Sequence, residues 1–306
     1  MKRTQKTVIL GFLMFISLGG FSFMAKAQQD AQFSQFYANK LFYNPAGMIG
    51  DKLFRVSLTD REQWWGSAGR PSYRTLNVSQ FFPDQHMGIG LTVYQWNQNI
   101  ENNILAKLAY SYHLQVGQEA FLSFGLSVGV IDRFISGVVT PGGEYGGSIT
   151  GELNDFNPNL DLGFGLEFYT KELVAGVSVE HVPIRLGPNP SRLALHSYYY
   201  FGYNFRLTNN WSLFPLLVLR NGDGKTNVDI NLRAFYRDIV NFGASYRIDA
   251  VALMAGVNLG KNFGLSYSYD INLGPTAQFK PSHELILSFR GCLLCKKKDQ
   301  PLIFFE

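Results

Sequence analysis

Only two cysteines, five histidines and 12 prolines occur among the 306 residues, and charged side chains make up just 16%. Two cysteines cannot staple a small disulfide scaffold. Cys292-x-x-Cys295 has no second such pair and no adjacent histidines, which argues against tetrahedral zinc held by this chain alone. A local disulfide or plain thiols are the readings left for it, and a redox pair lacks a strand–helix–strand context. The histidines (His86, His113, His181, His196 and His283) share no metal-ligand spacing such as H-E-x-x-H. We read no nucleophile elbow, and the glycine-rich stretch 141–147 lacks the following helix that a phosphate cradle needs. Positive charge is scarce too once the start of the chain is set aside. Lys2, Arg3, Lys6 and Lys26 taken from 27 basic residues leave 23, against 23 acidic. A nucleic-acid partner therefore loses its main electrostatic argument. We expect no cofactor, no metal and no catalysis.

Long apolar runs are also missing after the first 27 residues, so no helical membrane span is expected there. Those first residues have a basic start, an apolar stretch over 8–24 and then Ala25-Lys26-Ala27. This is the layout of an export signal, with cleavage expected between Ala27 and Gln28 rather than retention as an anchor helix. No cysteine stands near the cleavage point to take a lipid.

What the rest of the chain has is a two-residue rhythm. In 227–236, Val228, Ile230, Leu232, Ala234 and Tyr236 alternate with Asp229, Asn231, Arg233 and Phe235. A strand sends successive side chains to opposite faces, so such a segment has one face for an apolar medium and one mostly for polar neighbours. Similar segments occupy 53–60, 72–81, 86–98, 104–115, 120–132, 159–168, 173–181, 197–206, 211–219, 227–236, 239–247, 250–259, 263–270 and 282–289. The segments at 53–60, 72–81 and 211–219 carry the pattern least cleanly, the last because Pro215 cannot donate to a ladder. Links after even-numbered segments are short. Those after odd-numbered ones are often long, notably 61–71, 133–158, 182–196, 220–226 and 271–281. Outer-membrane barrels sort their loops in this way, and a soluble sandwich has no reason to.

The fold expected is all-β: a transmembrane, antiparallel, up-and-down barrel of about 14 strands with an N-terminal plug or strap. The layout expected is a signal over 1–27, a plug or periplasmic segment over 28–52, the barrel over 53–290 and a periplasmic tail over 291–306. Both termini would then face the periplasm. Trp96, Tyr110, Tyr112, Tyr198, Tyr199, Tyr200, Trp211, Tyr267 and Tyr269 lie toward strand ends, where rings could form interfacial girdles or simply favour strands. Asp161, Glu167, Asp229 and Arg233 should face the lumen, as an ordinary charged barrel interior.

Several motifs bear on identity. The stretch Gln29-Asp30-Ala31-Gln32-Phe33-Ser34-Gln35-Phe36, then Phe42-Tyr43-Asn44-Pro45-Ala46-Gly47, resembles the start of the PorP/SprF family. So do Arg61-Glu62-Gln63-Trp64 and Pro71-Ser72-Tyr73-Arg74-Thr75, although a plainer Arg-x-Gln-Trp is expected at the former. Tyr267-Ser268-Tyr269-Asp270 and Ser282-His283-Glu284-Leu285-Ile286-Leu287 resemble the family's closing strands. The resemblance implies an outer-membrane protein of Bacteroidota associated with type IX secretion. Members support export or surface attachment of partner proteins such as gliding adhesins. It implies as partners outer-membrane lipid, an exported adhesin-like protein and periplasmic or secretion components. It transfers no catalytic residue. The alternative is a channel for small hydrophobic solutes similar to the FadL type, which also carries an N-terminal plug with an Asn-Pro-Ala.

Overall fold

A computed structural model describes residues 31–48, 54–98, 101–135, 159–182, 194–222 and 224–292. Its strands are β1 (Phe54–Glu62), β2 (Ser72–Phe82), β3 (Met87–Gln98), β4 (Glu101–Gln115), β5 (Phe121–Ile135), β6 (Asn159–Tyr169) and β7 (Leu173–Glu180). Then come β8 (His196–Tyr203, continued by Phe205–Arg206), β9 (Trp211–Gly222), β10 (Lys225–Tyr236), β11 (Val240–Arg247), β12 (Ala250–Leu259), β13 (Phe263–Asn272) and β14 (Ser282–Gly291). Each runs antiparallel to its sequence neighbours. The seam is made by β1 and β14, with Phe54 opposite Gly291 and Glu62 opposite His283. The result is a closed 14-strand barrel, so no strand edge is left unpaired.

Alternation decides which face meets lipid. On β10, Val228, Ile230 and Leu232 are 40%, 56% and 47% exposed, whereas Asp229, Asn231 and Arg233 are 1%, 4% and 8% exposed. Asp161 and Glu167 are likewise buried inside. Among the aromatic residues, Tyr110, Tyr112, Trp211 and Tyr267 are exposed on the outer face. Trp96, Tyr198 and Tyr200 are buried in the lumen instead, against girdle placement. Period two explains this: in the run 198–200 only the middle ring can point outward.

The weak expectation at Pro215 has a local answer. β8 and β9 pair from Asn221↔Ser197 to Leu216↔Gly202 and resume at Leu213↔Phe205. The gap falls where Pro215 has no N–H to give, while on the β7 side the Asn204 backbone N–H still donates to Glu172 O (2.7 Å). On its other side Pro215 keeps register with Leu232 of β10.

Short links, 83–86, 116–120, 170–172, 207–210, 237–239 and 260–262, gather at one end of the barrel. Arg237 and Asp238 both have positive φ (52° and 54°), and Ile239 N–H donates back to Tyr236 O, as a tight primed hairpin turn requires. The other end carries the long links, but one expected there, 220–226, shrinks to 223–224. Both strands run on past their clearest alternation, as far as Gly222 and Lys225. Most of the loops 133–158 and 182–196, the cleavage pair Ala27 and Gln28, and Cys295 lie outside the described residues. Cys292 is the last residue inside them.

Placing a charge on the lipid face tests the orientation. Ile230→Arg, at mid-strand, should destabilise the barrel by about 2–4 kcal/mol, and Thr226→Arg, near the strand end, by roughly 0–1 kcal/mol. Urea unfolding in phospholipid vesicles would measure both, and equal costs would refute the assignment.

Candidate functional site: the plugged lumen

Residues 31–48 lie inside the barrel, every one of them buried or half-buried. A single 3-10 turn (Phe36–Asn39) followed by one α turn (Lys40–Tyr43) folds the segment back on itself. Phe33, Phe36, Phe42 and Tyr43 pack as a ring cluster, with Phe36 stacked on Tyr43 at 4.7 Å between centroids. Barrel residues Tyr94, Tyr198 and Tyr200 complete that cluster, which is why those rings turn inward. The Tyr43 hydroxyl donates to Ala31 O (2.9 Å) and accepts from Phe33 N–H (3.1 Å), tying the two arms together.

A polar slot holds the Asn44-Pro45-Ala46 turn. Gly125 of β5 and Gly165 of β6 are direct register partners. A Cβ on Gly125 would overlap the Pro45–Ala46 backbone, and one on Gly165 would overlap the Asn44 side chain. The two glycines therefore leave room for backbone-close approach. Asn44 Nδ2 donates to Tyr200 OH (2.9 Å) and Leu166 O (3.1 Å), and Ala46 N–H donates to Asn44 Oδ1 (2.8 Å). Ser178 and Ser123 donate to the carbonyls of Tyr43 and Ala46. Lys107 donates to Phe42 O (2.7 Å) while pairing with Glu180 (2.9 Å), and Lys40 pairs with Glu167 (2.9 Å), which also accepts from Tyr200 OH.

The first arm is held by charge. Ser34 N–H and Gln35 N–H donate to Glu284 Oε2 and Oε1 (2.8 and 3.0 Å), and Ser34 Oγ donates to Asp270 Oδ2 (2.6 Å). Arg61 bridges Asp270 (2.7 Å) and Glu284 (3.2 Å), and Arg247 reaches Asp270 (2.8 Å) and Gln32 O (3.1 Å). Arg220 donates to Phe33 O (3.1 Å) and pairs with Asp229 (2.7 Å). Family-like stretches far apart in sequence, around 34, 61, 270 and 284, thus converge on one point.

Arg61, Arg247, Asp270 and Glu284 all lie within a few residues of the long-loop ends of their strands. The segment then runs down the lumen to Met48, whose neighbours Gly88 and Gly90 are near the short-turn end. The described chain therefore starts toward the long-loop end and finishes, at Cys292, at the short-turn end. The N-terminal arm thus crosses the lumen rather than capping it from below, and the termini themselves lie outside the described residues.

The structure places Gln32, Phe33, Phe42, Tyr43, Asn44, Pro45 and Ala46 together inside the lumen. Sequence reading missed Arg61, Arg220, Arg247, Asp270 and Glu284 as their anchors. The signal available was charge on otherwise inward-facing small or polar positions. It also passed over Gly125-Leu126-Ser127-Val128-Gly129, which has the letters of G-x-S-x-G. That stretch is mid-strand in β5, not a strand-to-helix turn, so Ser127 is not placed on an elbow. His181 meets Asp161 (2.8 Å), and no three His, Cys, Asp or Glu side chains converge as a metal site among the described residues.

Comparison with known proteins places these features. The family model for type IX secretion system membrane protein PorP/SprF matches residues 25–289. No curated protein matches. Similar solved structures include a TodX mutant described as a monoaromatic hydrocarbon channel (TM-score 0.49, 10% identity, covering 83% of this chain and 94% of that one). Others are the Pseudomonas putida toluene transporter TodX (0.48, 11%, 88% and 96%) and Acinetobacter baumannii outer membrane protein Omp33 (0.46, 7%, 79% and 98%).

Two variants test the plug. Asp270→Asn leaves Arg61 and Arg247 short of a buried counter-charge and should cost about 3–5 kcal/mol in urea unfolding. Gly125→Ala should displace the Asn44–Ala46 turn while leaving the barrel closed. A cysteine introduced at Ala46 would then gain maleimide reactivity; unchanged reactivity would sink the slot.

Proposed function

The chain belongs to the PorP/SprF family of type IX secretion system membrane proteins, and from that premise we propose a non-catalytic role in export or surface attachment. The partner would be an exported protein such as a gliding adhesin. Barrel fold and family together support residence in the outer membrane. The observation that carries the reading is the anchored plug. A lumen occupied from Ser34 to Met48, and tied by buried ion pairs to several strands, suits a barrel that works through its two ends. A solute channel would need that packing undone.

The short-turn end faces the periplasm in this reading, as short turns do in outer-membrane barrels. The tail from 291 onward, with a Cys292–Cys295 disulfide, would meet periplasmic secretion components. The long-loop end would present 133–158 and 182–196 to the exported partner. Cleavage after Ala27 would leave the new N-terminus close to the plug's first arm, so the leader must go before the plug can seat.

Purification of the tagged protein from native outer membranes, with mass spectrometry of what co-elutes, tests this directly. Recovery of a large exported surface protein or type IX components is expected. A clean barrel with no stoichiometric partner, together with single-channel conductance, would refute it. Deleting 136–158 should reduce partner display at least severalfold without reducing barrel insertion; unchanged display would remove that loop from the account.

A further inference from the structure

The plug fills only part of the lumen. Its second arm, residues 40–48, packs along β3 to β8, and a cavity of about 780 Å³ remains on the other side, bounded by the end of β8, the 207–210 turn, the strands from β9 to β14, and β1 and β2. Most of its wall belongs to the short-turn ends of these strands, and the plug closes it from above through Tyr37, Lys40 and Met48. Its volume is in the range of small-ligand sites.

Charge in this cavity is one-sided. Arg55, Arg206, Arg233, Arg237 and Arg290 border it, against a single carboxylate among the described residues, the exposed Asp238 of the hairpin turn. Arg233 is the member that matters most. Six cations are buried among the described residues: Lys40, Arg61, Lys107, Arg220, Arg233 and Arg247. Five of these touch a carboxylate, at 2.7 to 2.9 Å. Arg233 touches none. Its Nη2 donates to Asn241 Oδ1 (2.7 Å), its guanidinium carbon lies 5.1 Å from the centre of the Phe235 ring, and its Nε has no partner. An amide dipole and a ring quadrupole soften a buried charge without neutralising it, and burial of an uncompensated cation is costly.

We infer that this cavity is a binding site for an organic carboxylate with an apolar or aromatic body, entering from the short-turn end and neutralised by Arg233. The carboxylate completes the pairing that every other buried cation in the lumen already has. The apolar body is argued from the rings beside that guanidinium, Phe235 on β10, with Phe214 and Tyr37 packed on each other at 5.3 Å. A phosphate needs more donors than one deep guanidinium supplies and has no use for those rings. The exposed Arg206 and Arg237 at the mouth would draw an anion inward. The site stands independently of any role in secretion. Its ligand could be a free carboxylic acid or an acidic, aromatic peptide segment, which share this chemistry.

The test uses the purified full chain in nanodiscs and isothermal titration. The probes are 4-phenylbutyrate and the peptide acetyl-Phe-Glu-Phe-amide, their neutral counterparts 4-phenylbutyramide and acetyl-Phe-Gln-Phe-amide, and inorganic phosphate. At least one acid should bind about tenfold or more tightly than its neutral counterpart. Which acid does so identifies the source. Arg233→Gln should remove that preference. Asn241→Asp, which adds one negative charge and hands Arg233 an internal carboxylate in place of the amide it already meets, should remove it as well. The second variant decides the matter if the first does not fold, with heat-modifiable gel mobility reporting folding. The inference is overturned if neither acid binds, if acid and amide bind alike, if phosphate binds as tightly as the acids, or if the preference survives in the folded variants.

Discussion

The ion pair between Arg61 and Glu284 is the contact on which the rest of the barrel turns. These residues are direct register partners across the β1–β14 seam, where the first and last strands meet. Asp270 on β13 and Arg247 on β11 extend the pair sideways, and Ser34 and Gln35 of the plug donate into it from the lumen. The same few atoms thus close the barrel and hold the first arm of the plug. Two arginines against two carboxylates make the group formally neutral, which a water-poor interior requires. A buried pair of this kind adds little net stability compared with apolar packing, but losing one partner is severe. Its contribution is therefore positional: it makes plug seating and seam closure conditions of each other.

Barrel size explains why a plug is needed. Around eight strands, inward side chains fill the lumen, and at 16–18 they leave a channel. Fourteen strands fall between, so the interior needs a second source of atoms. Residues 31–48 provide them, and the strands are cut to fit, with glycine where the Asn44-Pro45-Ala46 backbone comes closest and tyrosine where rings can reach the plug's own. Lys40 and Lys107 settle on Glu167 and Glu180 by the same rule of local neutrality.

Much of this was legible in the chain. Alternation located all 14 strands, because a closed barrel puts every one of them between lipid and lumen and so writes the same pattern each time. Even the proline in β9 proved informative, since its missing N–H coincides with the break in β8. The aromatic rings were less legible. Tyr198 and Tyr200 carry the same letters whether they face an interface or a plug, and only register separates the cases. Least legible was the plug's direction. Composition showed that the segment around Asn44 was too aromatic for a free tail. Its course from the long-loop end downward depends on partners more than two hundred residues away, such as Asp270 and Glu284 for Ser34. No local pattern encodes a contact of that separation.

The asymmetry of the filling has a consequence for where the barrel can act. The side-chain hydrogen bonds and ion pairs of residues 40–48 with the wall go to β4 to β8, through Lys107, Ser123, Glu167, Ser178 and Tyr200, with Gly88 and Gly90 of β3 beside Met48, whereas the turn before them is tied at Asn39 to Thr59, Thr75 and Asn77 of β1 and β2. The opposite wall, from β10 round to β2, faces open space near the short-turn end. The break in the ladder between β8 and β9 falls at the boundary of the two halves, beside Asn204 and Phe214, which both border the cavity. One half of the interior is thus filled by the plug, while the other keeps a cavity beside Arg233, which meets no carboxylate among the described residues. Binding at the short-turn end would use the second half, because among the described residues the open volume lies there, with Arg233 beside it.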